Sequence, residues 1–104
     1  MSEPSLSDMD FMISRFTAEL HLDVPSLGAV AHKAVHDAYA DNLKGRLLRS
    51  RIACAIEDGL AFNGEGLHHH LNGAALADWP GICARAFDKA LDATFKATTS
   101  ADHS

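Results

Sequence analysis

Residues 78–95, DWPGICARAFDKALDATF, decide the fold class, because their apolar side chains recur with the period of an α-helix. The row has one member every fourth residue and consists of Cys83, Phe87, Leu91 and Phe95. Pro80 lies near the start of the stretch, where proline is tolerated in the first turn of a helix. The stretch therefore predicts a long helix that opens at Asp78-Trp79-Pro80 and frays in a flexible polar tail over residues 98–104.

Two further helices are predicted upstream, on either side of Pro25. The apolar row of the first consists of Met9, Ile13, Phe16 and Leu20. This spacing indicates a helix from about Ser7 to His21. Pro25 disfavours helical geometry at the residue before it and suits the first turn of a helix after it. The row of the second helix consists of Leu27, Ala31, Ala34 and Ala38.

The centre of the chain is predicted to hold a third helix and a shorter fourth one. Asn42 and Gly45 lower helix propensity, which leaves open whether the second helix kinks there or ends. The apolar row of the third helix consists of Leu48, Ile52 and Ile56. We expect this helix to stop near Gly59, because glycine suits the left-handed cap that ends helices. A short helix is expected from about Leu67 to Leu76, after a turn at NGEG.

The helical period extends along the whole chain, and no segment shows the alternation of apolar and polar residues that a half-buried strand requires. The sequence therefore predicts an all-α protein, a small bundle of four to five helices. Its 104 residues are close to the usual size of one domain. We expect a single helical domain over residues 1–104, with flexible tails at about 1–6 and 98–104.

Charge and composition restrict the setting in which the protein works. The formal net charge of −5 disfavours general attraction to nucleic-acid phosphate. The N-terminus lacks the basic and apolar regions of a secretion signal, and no window approaches the roughly 18–20 apolar residues of a membrane span. Cys54 and Cys83 have no C-x-x-C neighbour, so reduced, buried thiols are expected. We therefore expect a soluble, cytoplasmic protein.

Two of the seven histidines have the spacing of a metal-binding pair. His32 and His36 are four residues apart, so a helix projects both imidazoles from one face. A zinc site needs three or four ligands, and the recruits that the sequence offers are His68, His69 and His70. Such a cluster would bind zinc or another divalent transition metal. Two alternatives stay open: histidines that border the apolar stripe and bond to backbone or solvent, and a cluster that senses pH near neutrality.

The sequence contains no motif that assembles a catalytic site. It lacks an H-E-x-x-H pair, a nucleophile elbow, a phosphate-binding glycine loop and a dinucleotide fingerprint. Cys83 falls on an apolar row and Cys54 lies among small apolar residues, so neither is marked as a nucleophile. We do not expect an enzyme.

A basic run in LKGRLLRSRI, residues 43–52, suggests a nucleic-acid-associated regulator as one alternative. The run consists of Lys44, Arg46, Arg49 and Arg51. At about 100° per residue these side chains fall on opposite sides of the helix and do not form one stripe. A solvated helix is the competing interpretation.

The sequence favours binding to another protein. The core is modest because the chain has few aromatic residues, so one apolar face is expected to be left over for a partner. The first helix is the best source of that face, since Phe11, Met12 and Phe16 widen its apolar stripe. Methionine and aromatic residues are common at contacts. We therefore expect a regulator, inhibitor or accessory subunit that acts by protein–protein interaction, as a homodimer.

Overall fold

The computed structural model describes the backbone of residues 6–103 and the side chains of residues 8–96. In chain order its helices are α1 (Leu6–Leu20), α2 (Leu27–Ala40), α3 (Gly45–Phe62), α4 (Gly73–Ala77) and α5 (Trp79–His103), with a 3₁₀ turn at Leu67–His69. No strand occurs in this part of the chain, so the predicted all-α bundle is confirmed. None of the described helices is long and apolar enough to reach across a lipid bilayer.

The four long helices form the bundle, and contacts at both ends show that α2 and α3 are antiparallel. Arg51 near the start of α3 pairs with Asp41 after the end of α2, with 2.8 Å between Nη1 and Oδ2. At the opposite end, the Ser26 hydroxyl before α2 donates to the Glu65 carboxylate after α3 at 2.6 Å. α5 packs on another side of α3, and α1 closes the bundle by contacting both α2 and α5.

The apolar rows of the four long helices meet in one hydrophobic core. Phe16 of α1 and Phe87 of α5 pack edge to face, with their ring centroids 5.6 Å apart. Trp79 is buried at the start of α5, and its indole Nε1–H donates to the backbone carbonyl of Ala53 in α3 at 2.9 Å. These contacts hold α5 between α1 and α3.

The second predicted helix ends at Ala40 and does not kink. Asn42 and Gly45 both adopt left-handed backbone conformations, with φ values of 59° and 58°. Consecutive helical hydrogen bonds cannot run through such residues, so the chain turns between α2 and α3. Gly45 suits this position because it lacks a Cβ.

The predicted end of α3 and the predicted fourth helix are both wrong. α3 continues past Gly59 to Phe62, and the left-handed glycine lies further on, at Gly64 with φ of 77°. The helix expected over Leu67–Leu76 is divided into the 3₁₀ turn and α4. The division occurs at Asn72, whose side chain caps the new helix by accepting a hydrogen bond from a backbone N–H of α4.

The last helix also differs from the prediction in its second half. α5 continues to His103, through most of the tail that was expected over 98–104. Residues 1–5, which belong to the other expected tail, lie outside the described residues. Phe95 was predicted on the core row but is 70% exposed. A row with four-residue spacing drifts about 40° per step around a helix, so three steps from Cys83 carry Phe95 away from the core.

Candidate functional site

The partner-binding face predicted on α1 is largely covered by the chain itself. Met12 and Phe16 are buried in the core, and only Phe11 remains accessible, at 47% exposure. The prediction is wrong for the two buried residues, because α1 packs against two helices and needs an apolar stripe wide enough to contact both.

A different apolar surface lies on α3, on the side that faces solvent. We define the outward face of α3 as the exposed residues Arg46, Leu47, Ser50, Cys54, Glu57 and Asp58. Leu47 is 69% exposed on this face. A shallow depression of about 250 Å³ lies beside it and is lined by Leu43, Leu47, Ser50, Arg51 and Cys54. Sequence reasoning missed this surface because Leu47 lies off the apolar row of the helix.

Opposite charges occupy the two ends of the outward face of α3. Lys44, directly before the helix, and Arg46 lie at one end, while Glu57 and Asp58 lie at the other. None of these four side chains forms an ion pair with another described residue. Positive charge at a helix N-terminus is also unfavourable beside the helix dipole. The stability of α3 by itself therefore does not explain why basic side chains lie at its start.

The other two members of the predicted basic run are engaged within the chain. Arg49 donates from Nε to Asp88 of α5 at 2.7 Å and lies over the Phe87 ring, 5.4 Å from its centroid. Arg51 pairs with Asp41. Only Lys44 and Arg46 of the run remain for contact with a partner of opposite charge.

The predicted histidine pair is joined by a carboxylate from α1. The rings of His32 and His36 are tilted by 35° to each other, and their centroids are 4.3 Å apart. Oδ1 of Asp10 is 3.6 Å from Nε2 of His32. One ligand atom from each of the three residues lies within 4.8 Å of the other two.

His36 carries a further feature that distinguishes this cluster. Its Nε2 is buried and has no hydrogen-bond partner among the described residues, although the side chain as a whole is half-buried. Buried polar atoms in proteins are nearly always paired. The interpretation in which both histidines bond to backbone or solvent therefore fails for this nitrogen.

The predicted recruits His68, His69 and His70 do not join the cluster. They lie in and directly after the 3₁₀ turn, all exposed, with the first two rings 4.0 Å apart. Asp10 takes the place that the sequence assigned to them. If α1 and α2 form an antiparallel hairpin in which residue 20 lies beside residue 27, counting back along α1 and forward along α2 brings residue 10 beside residue 37, next to His36. That register was the signal in the sequence that could have identified Asp10.

The two cysteines differ in accessibility. Cys83 is buried, and its burial raises the pKa of the thiol from 9.0 to about 12, so it remains protonated near neutral pH. Cys54 is exposed on the outward face of α3, which corrects the expectation that both thiols are buried.

Comparison of the chain with protein-family models, with curated proteins and with solved structures gives no match.

Proposed function

We propose that the protein acts in the cytoplasm by protein–protein interaction, as a regulator, inhibitor or accessory subunit, and that it does so as a homodimer. The outward face of α3 carries this proposal. There the exposed Leu47 lies between a basic end and an acidic end whose charges have no ion-pair partner among the described residues. A face with this pattern is complementary to a second copy of itself.

An antiparallel pairing of two such faces brings the opposite charges together. In this pairing the two-fold axis passes the helix just after Ser50. Residues at equal distances before and after that point then lie opposite each other in the two copies. Lys44 of one copy then faces Glu57 of the other, and Leu47 faces Cys54. Each contact occurs twice, so a basic end meets an acidic end at both ends of the interface.

The centre of the outward face suits close contact between helices. Ser50 and Cys54 are small and line the depression, which leaves room for Leu47 of the second copy. Burying a leucine side chain contributes about 1.5–3 kcal/mol to the free energy of association, and the antiparallel pairing buries Leu47 of both copies. The charged ends determine the register and exclude the parallel arrangement more than they add affinity.

The mass of the protein in solution tests this proposal. Light scattering is expected to give twice the chain mass of 11.1 kDa for the wild type and the monomer mass for Leu47→Asp. Phe95→Asp is the matched control, because Phe95 is equally exposed but lies on α5, and this variant is expected to remain dimeric. A wild type that is monomeric at high concentration, or a Leu47→Asp variant that stays dimeric, would contradict the α3 interface.

Charge reversal separates this register from other modes of association. The Lys44→Glu/Arg46→Glu variant is expected to weaken the dimer, because each copy then presents only acidic groups on the face. Adding Glu57→Lys and Asp58→Lys restores complementarity and is expected to restore the dimer. If both variants have the same dissociation constant as the wild type, these charges do not meet across the interface.

A further inference from the structure

We infer that Asp10, His32 and His36 bind one divalent transition-metal ion, of which zinc is the best fit, in the groove between α1 and α2. The inference rests on the geometry of these three side chains and does not depend on the dimer. It assigns a ligand-binding role to a part of the molecule that lies away from the outward face of α3.

The spacing of the donor atoms fits a single ion after small side-chain movements. Zinc lies about 2.0–2.2 Å from nitrogen and oxygen ligands, so the ligand atoms of a tetrahedral site are about 3.4 Å apart. Asp10 Oδ1 and His32 Nε2 are already 3.6 Å apart, and all three ligand atoms lie within 4.8 Å of one another. His32 and His36 project from adjacent turns of α2, which places them on the same side of the ion.

The unpaired nitrogen of His36 is a second, independent observation. Its Nε2 is removed from solvent and accepts or donates no hydrogen bond among the described residues. Coordination through this nitrogen would give it a partner. A neutral imidazole has a lone pair on one ring nitrogen, and that lone pair can bind a metal ion.

The donor set selects the class of ion. Two imidazole nitrogens and one carboxylate oxygen favour zinc, copper, nickel and ferrous iron over calcium and magnesium, which prefer oxygen ligands. Three protein ligands leave at least one coordination position open. Asp10 and His32 are exposed, so that position is accessible to water or to a small anion.

The ion would also connect two helices. Asp10 belongs to α1, whereas both histidines belong to α2, so coordination links the first two helices of the bundle. A ligand that binds the folded chain raises its thermal stability. We therefore expect zinc to raise the melting temperature in addition to binding with a stoichiometry of one per chain.

Titration of untagged, metal-free protein with cobalt and zinc salts tests the site. Visible absorption of the cobalt complex and calorimetry with zinc are expected to show one saturable site per chain. His32→Ala and Asp10→Asn are expected to weaken binding at least about tenfold. Both side chains are exposed, so the variants should fold, and far-UV circular dichroism checks that they do.

Two controls make the result decisive. The His68→Ala/His69→Ala/His70→Ala variant is expected to retain the site, and so is Leu47→Asp, which removes only the proposed dimer contact. Absence of saturable binding, or binding that disappears with the triplet and survives His32→Ala and Asp10→Asn, would overturn the inference. Binding by the monomeric Leu47→Asp variant would support the metal site independently of the dimer.

Discussion

Single residues differ widely in how much of the fold depends on them, and Trp79 is the clearest case. Its ring is buried in the core and its Nε1–H bonds to the carbonyl of Ala53. We predict that Trp79→Phe lowers the free energy of unfolding by about 1–3 kcal/mol, because it removes a buried hydrogen bond and leaves a cavity. Urea unfolding followed by circular dichroism measures this loss.

A large aromatic residue outside the core provides the control for that prediction. Phe62 is 93% exposed at the end of α3, so Phe62→Ala is expected to change the free energy of unfolding by less than about 0.5 kcal/mol. If the two variants were equally destabilised, burial of the indole would not account for the role of Trp79.

Packing between whole elements depends on close approach of α2 and α3 at Gly59. A Cβ at this position would lie 2.7 Å from Cγ1 of Val30, which is too close for two carbon atoms that are not bonded to each other. Alanine is ordinarily the better helix former, yet we predict that Gly59→Ala destabilises the protein by about 1–3 kcal/mol by forcing the two helices apart. The measurement is again urea unfolding.

The second helix contains the matched glycine for this comparison. A Cβ added at Gly28 would meet no other atom within 4 Å, so Gly28→Ala is expected to stabilise the protein by about 0.5–1 kcal/mol. Opposite signs for the two substitutions would establish that the cost at Gly59 comes from the helix contact. The same sign for both would refute the close approach.

At the scale of the whole molecule, all four long helices contribute to a single hydrophobic core among residues 8–96. We predict that Trp79 fluorescence and far-UV circular dichroism report the same midpoint of urea unfolding, because the helices cannot unfold separately without exposing that core. For a dimer this midpoint rises with protein concentration, and Leu47→Asp is expected to remove the dependence. Two separate midpoints would show that part of the bundle unfolds independently.

Much of the secondary structure follows from the sequence alone. The rows that begin at Met9, Leu27 and Leu48 predict three of the long helices to within a few residues, and Pro80 locates the start of the fourth. Helical periodicity and proline geometry are local properties, so a single chain segment contains the information. The same local reasoning brings His32 and His36 to one face of α2.

Only the tertiary structure decides which of those surfaces remain available. The apolar stripe of α1 is covered by α2 and α5, so Met12 and Phe16 cannot form a partner surface, whereas Leu47 of α3 remains uncovered. Asp10 joins the histidine pair only because α1 packs against α2. Burial and proximity depend on how distant segments pack, and no periodicity within one segment contains that information.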